Sequence, residues 1–195
     1  MLLFPGFDEL DVVGPFEVLA SARDLGAPFS IALAGVDDAG PVTAAHGLRI
    51  LPDAAAGDRR PDLYLIPGGG WNERGPVGAR AEVERGALPA RLRGWHASGI
   101  ALATVCTGAL IVGAAGLLRG RRATTHHQNF GDLAAMGADV VRGRVVDDGD
   151  IVSAGGVTSG LDLALHLVER EAGRELADRV AADIEHARGQ QRRGC

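Results

Sequence analysis

One cysteine stands where a reactive group belongs. The stretch IALATVCTGALIVGAA sets Cys106 between an apolar run that reads as a buried strand, Ile100 to Val105, and a run that reads as the first turns of a helix, Ala109 to Ala115. A thiol at such a junction feels the positive end of the helix dipole and nearby amide hydrogens. Both favour the thiolate and predict a pKa below the free value of about 8.5. The turn Cys106-Thr107-Gly108 would present the side chain as a nucleophile elbow presents a serine; the competing reading is a small buried hydrophobe. The other cysteine, Cys195, is the last residue and reads as a free thiol on a frayed tail, so no disulfide framework is expected.

Three further groups could serve that thiol. Pro67 is followed by Gly68, Gly69 and Gly70 at the end of a second apolar run. Unobstructed amides of Gly69 and Gly70, with that of Thr107, would form an oxyanion hole facing Cys106, although a plain tight turn explains the glycines as well. The segment FPGFDELDVVGPFEV carries Asp8, Glu9, Asp11 and Glu17. Most acids at a helix start complement its dipole, but Asp11 lies between Leu10 and Val12, and Glu17 between Phe16 and Val18. On a continuous helix these two would point about 120° apart, so one thiol would face only one of them, unless Gly14-Pro15 restarts the helix. His126 and His127 offer an imidazole near the site or, equally, a solvent-facing pair. They are adjacent, and no other Cys or His stands at ligand spacing, so neither a metal nor a cofactor is expected.

The elements that must position these residues alternate. Strands are predicted at Leu2–Phe4, Phe29–Leu33, Asp62–Ile66, Ile100–Val105 and Ala123–Thr125, and helices at about 11–23, 76–98 with a break at Pro89, 129–136, 157–169 and 174–186. A hairpin is predicted from Val140–Val146 and Ile151–Ala154 around Asp148-Gly149. Repeated β, α, β order argues for an α/β fold: a three-layer, doubly wound, mostly parallel sheet with helices on both faces. No repeat or linker divides the 195 residues, so residues 1–195 are expected to be one domain.

Composition removes several chemistries. All 20 cationic side chains are Arg and none is Lys, which excludes Schiff-base, pyridoxal-phosphate and phosphate-loop mechanisms of the usual kind. A net charge of −5 gives no basic footprint for nucleic acid. No apolar run is long enough to span a membrane, and the acidic N-terminal segment does not resemble a secretory signal, so a cytoplasmic protein is expected.

The segments FPGFDELDVVGPFEVL, LIPGGG, VCTGALIVGAAGLLRGRRATTH and GGVTSGLDLALHLVE together resemble the PfpI-like cysteine superfamily, which shares its flavodoxin-like fold with class I glutamine amidotransferases. Leu10-Asp11 before Gly14-Pro15, with Cys106-Thr107-Gly108, is similar to the isonitrile hydratase branch and equally to the sensing domains of AraC-type regulators. The resemblance implies a nucleophile at Cys106, a hydrogen-bonding acid at Asp11, a supporting hydroxyl at Thr107, a small-molecule substrate and a homodimer. It leaves three readings: isonitrile hydration; a sensing module without chemistry, for which the chain stops short of a DNA-binding part; and aldehyde or amide chemistry using Glu17 and His126. His127 stands where the related branch carries an aromatic residue, so the pocket is expected to differ there.

Overall fold

The computed structural model describes residues 1–58 and 60–188; Cys195 and its predicted free thiol lie outside the described residues. The chain opens with β1 (Leu2–Leu3) and α1 (Glu9–Asp24), followed by β2 (Ala34–Gly35), the short antiparallel pair β3 (Val42–Thr43) and β4 (Arg49–Ile50), and β5 (Ala54–Ala55). Then come β6 (Leu63–Ile66), α2 (Ala79–Arg85), α3 (Ala87–Ala97), β7 (Ala101–Val105), α4 (Gly108–Ala114), β8 (Arg122–Ala123) and α5 (Phe130–Ala135). The chain closes with β9 (Asp139–Val140), β10 (Val145–Asp147), β11 (Ile151–Ala154), α6 (Ser159–Ala172) and α7 (Arg174–Asp183).

β6, β7 and β11 run parallel, with β10 added antiparallel at the edge. On the other side β1 lies beside β6 and continues in parallel through β2 to β5. This is the doubly wound, mostly parallel arrangement. Strand alternation divides the core: Leu65, Ala103, Val105, Val152 and Ala154 face Leu163 and Leu167 of α6, while Tyr64, Ile66 and Leu102 join Ala109, Leu110 and Ile111 on the α4 side. Helices α1, α6 and α7 pack together on the first face and α2, α3, α4 and α5 on the second. With both faces covered, the strands read as continuous apolar runs. Strand β7 lies inside the sheet, so the loop after it opens at the sheet's carboxyl edge, where α/β folds keep their ligand crevice.

Several predicted elements move. Residues 29–33 are not a strand, because β1 begins only at Leu2 and its partner register starts at Ala34. Before it, the N-terminal ammonium reaches Ala32 O (2.7 Å) and Leu33 N–H donates to Asp53 Oδ2 (2.8 Å). The long helix at 76–98 is two helices separated at Gly86, which holds a left-handed φ of +73°. Pro89 falls in the first turn of α3, where a missing N–H removes no helical bond. The hairpin forms from β10 and β11 alone; Val140 instead pairs in parallel with Ala123. Helix α1 runs unbroken through Gly14 and Pro15. A methyl on Gly160 would meet the Pro15 ring at 3.1 Å, so the two helices pack closely there.

Candidate active site

Cys106 follows β7 with a φ of +56°, a conformation that costs a non-glycine residue on the order of 1 kcal/mol or more. Its surroundings hold it there. Its N–H lies 3.1 Å from Ala154 O and 2.9 Å from Gly155 O, and its carbonyl accepts the Thr125 hydroxyl at 2.8 Å. A methyl on Gly108 would lie 2.3 Å from Ile66 O, so only glycine lets the helix start this close to β6. The residue is 7% exposed.

The thiol is not activated as the sequence suggests. Burial, followed by the nearby Asp11 carboxyl, pushes its pKa up to about 12. The N–H groups of Thr107 and Val157 point at the sulfur and act in the opposite direction, but α4 is only seven residues long and its dipole does not offset the desolvation.

Each of the four N-terminal acids has a separate place. Asp8 caps α1, accepting from Leu10 N–H at 3.1 Å, and Glu9 accepts from His46 N–H at 2.6 Å. Glu17 is exposed, so it is not brought to the thiol. Asp11 is fully buried; its Oδ2 accepts from Gly68 N–H at 2.8 Å and its Oδ1 has no partner among the described residues. Burial raises its pKa well above the ordinary carboxyl range, against the Gly68 hydrogen bond. Cys106 and Asp11 are thus a buried thiol and a nearby buried carboxyl, each shifted towards its protonated form.

The glycine loop carries these groups, and two of its amides are already engaged. Gly68 N–H is taken by Asp11, and Gly69 N–H donates to Thr107 Oγ1 at 3.0 Å. A methyl on Gly68 would stand 2.5 Å from both Thr107 N and Thr107 Oγ1. Gly70, with φ +65°, is wedged against Val77 O. The amides facing the sulfur belong to Thr107 and Val157. Val157 was missed because Gly155-Gly156 before it signals a turn, and Val157 itself reads as the first residue of a helix. In the structure it holds φ +43° and α6 starts two residues later.

Val157 also forms one wall of a cleft of about 350 Å³ lined with Phe130, Arg144, His126 and His127. The His126 ring packs over Gly156, where a methyl would stand 2.3 Å from Cδ2, and burial lowers its pKa. His126 therefore lies across the Gly156-Val157 turn from the sulfur, while His127 is exposed. A polar clip joins the two loops beside the site: Trp71 Nε1–H donates to Asp132 Oδ2 at 2.7 Å and Asn129 Nδ2 donates to Asn72 Oδ1 at 2.8 Å. Among the described residues no three His, Cys, Asp or Glu side chains group as metal ligands, and no helix is long and apolar enough to cross a membrane.

The chain is similar to known proteins. The chain is 38% identical to an isonitrile hydratase of Pseudomonas putida, over 95% of this chain and 77% of that protein. It is 29% identical to the HTH-type transcriptional regulator CdhR of Pseudomonas aeruginosa, over 92% of this chain but only 52% of the regulator. A THiJ/PfpI family protein from Pseudomonas syringae superposes with a TM-score of 0.83 at 31% identity, covering 99% of this chain and 76% of that one. The DJ-1/PfpI family pattern matches residues 1–170, a span that holds the thiol at the sheet edge, the buried acid and the glycine loop that carries them, and the chain belongs to the DJ-1/PfpI family.

Proposed function

We propose that the protein hydrates an isonitrile to an N-substituted formamide through a thioimidate on Cys106, a lyase reaction. The observation that carries this reading is a buried Asp11, with one oxygen unpartnered among the described residues and its pKa raised by burial, near a buried Cys106 whose pKa burial also raises. An isonitrile carbon bears a lone pair and must gain a proton before a nucleophile adds to it. A neutral carboxylic acid supplies that proton, giving a nitrilium carbon. The thiol sulfur then bonds to that carbon and its proton returns to the Asp11 carboxylate, leaving R–N=CH–S–Cys106. Water adds across the C=N bond; the C–S bond breaks, the sulfur recovers a proton, and R–NH–CHO leaves. The Thr107 and Val157 amides stabilise sulfur as it passes through thiolate character. Thr107 Oγ1, tied to Gly69, holds the elbow in register.

The resemblance at 38% identity to an isonitrile hydratase supports the same reading. The aldehyde reading needs an acid in place of Asp11, and exposed Glu17 does not supply one. The sensing reading draws on the similarity to CdhR and on a resting thiol that is not ionised. Purified protein incubated with phenyl and cyclohexyl isonitriles, followed by formamide formation, decides the matter. Turnover lost in Cys106→Ser supports the lyase, whereas tight binding without turnover of any isonitrile favours the sensor.

We also propose a homodimer. Phe4, Phe7 and Val12 are fully buried within one chain and offer nothing to a partner. Leu10 and Val13 remain exposed one helical turn apart on α1, a small apolar face suited to a second copy. Sedimentation showing a monomer at micromolar concentration would count against it.

A further inference from the structure

The peptide unit that joins Cys106 to Thr107 serves a different partner at each end. Its carbonyl, on Cys106, accepts the Thr125 hydroxyl at 2.8 Å, and its N–H, on Thr107, points at the Cys106 sulfur. The bond is trans, so C=O and N–H lie in one plane and point opposite ways. A plane held at its oxygen cannot turn its N–H aside.

The hold comes from outside the elbow. Thr125 is buried, and its segment is clamped one residue earlier, where Thr124 N–H donates to Ser153 Oγ at 2.9 Å and the Thr124 hydroxyl donates to Gly143 O at 3.3 Å. Within the elbow itself, Ala109 N–H donates to the Cys106 carbonyl at 3.4 Å, beyond the usual N–H···O range. The first turn of α4 therefore fixes this carbonyl only weakly, and the Thr125 hydroxyl is the close donor. On the other side of the residue, Cys106 N–H is tied to Ala154 O and Gly155 O.

We infer that Thr125 is a positioning residue: by anchoring the Cys106 carbonyl, its hydroxyl aims the Thr107 amide at the sulfur and so sets how readily Cys106 reacts. The hydroxyl acts through the peptide plane and not on the sulfur. Val157 supplies a second amide from another loop, so loss of the anchor weakens the thiolate without abolishing it. The assignment concerns the thiol rather than a substrate, and it stands or falls independently of isonitrile turnover.

Alkylation of Cys106 by iodoacetamide, followed across neutral and mildly alkaline pH in a Cys195→Ser background, tests this with Thr125→Val, Thr125→Ser and Thr124→Val. A hydrogen bond to a charged group is worth about one to two pKa units, and a more basic thiolate regains part of that loss in nucleophilicity. Thr125→Val keeps the shape and removes the donor, so it should react about three- to tenfold more slowly at every pH, with the slope of log rate against pH unchanged. Thr125→Ser restores the hydroxyl and should come within about twofold of wild type. Thr124→Val removes an adjacent hydroxyl that does not meet Cys106; its thermal midpoint should fall while its alkylation rate stays within about twofold. Thr125→Ala takes the place of the valine variant should that one fail to fold. An unchanged or faster rate in Thr125→Val, a serine variant as slow as the valine one, or an equal loss in Thr124→Val would overturn the assignment.

Discussion

Cys106 and Val157 both hold left-handed backbone, at φ +56° and +43°, and the Val157 N–H points at the Cys106 sulfur. Two strained residues from separate loops meet at one atom. A β-branched residue at positive φ is a true outlier, held here because β7 and β11 are paired to their ends and both loops leave from the same edge. Val157→Gly should relieve the strain and raise stability by about 1 kcal/mol or more, while the loosened amide slows reaction at the thiol. A higher thermal midpoint with a lower rate of Cys106 modification checks this; a lower midpoint would mean that the Val157 side chain contributes more than its backbone costs.

The thiol pKa of about 12 makes a direct kinetic prediction. In a Cys195→Ser background, alkylation of Cys106 by iodoacetamide should rise roughly tenfold per pH unit through the neutral and mildly alkaline range, because the thiolate fraction does so below the pKa. Levelling off below about pH 9 would show the depressed pKa that the helix-start position suggests.

The sequence makes the fold legible where apolar runs are long and the turn chemistry is strong: β6 before Pro67, β7 before Cys106, β11 before Gly155-Gly156. Other short strands escape it, since two-residue β2, just after the predicted Phe29–Leu33, exists only through its pairing with β1 and β5. Cys106, Thr107 and Asp11 stand out because polar residues interrupt apolar surroundings. Val157 and Thr125 do not, because one acts through its backbone and the other through the carbonyl of Cys106, 19 positions earlier in the chain. The sign of the Cys106 shift was hidden for a related reason: it depends on burial beneath loops whose approach no local pattern records.

The contact between Gly68 and Thr107 predicts a sharp contrast among glycines. A methyl on Gly68 meets backbone and hydroxyl atoms at 2.5 Å, whereas one on Gly94, within α3, meets nothing within 4 Å. Gly68→Ala should destabilise by about 1–3 kcal/mol through forced displacement of the elbow and abolish reactivity at Cys106. Gly94→Ala should stabilise by about 0.5–1 kcal/mol. Denaturant midpoints of the two variants measure both, and a tolerated Gly68→Ala would mean that the loop does not set the elbow.

Asp11 offers the test in which structure and chemistry part most clearly. Its folded pKa is raised well above the reference value of 3.8, so the native state holds the proton to a higher pH than the unfolded chain does. The native state then binds more protons, and the stability this group contributes is whole below about pH 4 and drains away as pH rises through the folded pKa. Asp11→Asn cannot ionise, and its amide oxygen can still accept from Gly68. The variant should therefore gain stability relative to wild type as pH is raised from about 5 to 8, while turnover falls by about 10² to 10⁴ with the loss of proton transfer. An acid that only complemented the dipole of α1 would give the reverse pattern: a variant less stable by up to about 1 kcal/mol at neutral pH, where that carboxylate is charged, with its rate intact. Thermal midpoints across the pH range, set beside single-substrate rates, separate the two, and an unimpaired rate would remove Asp11 from the chemistry altogether.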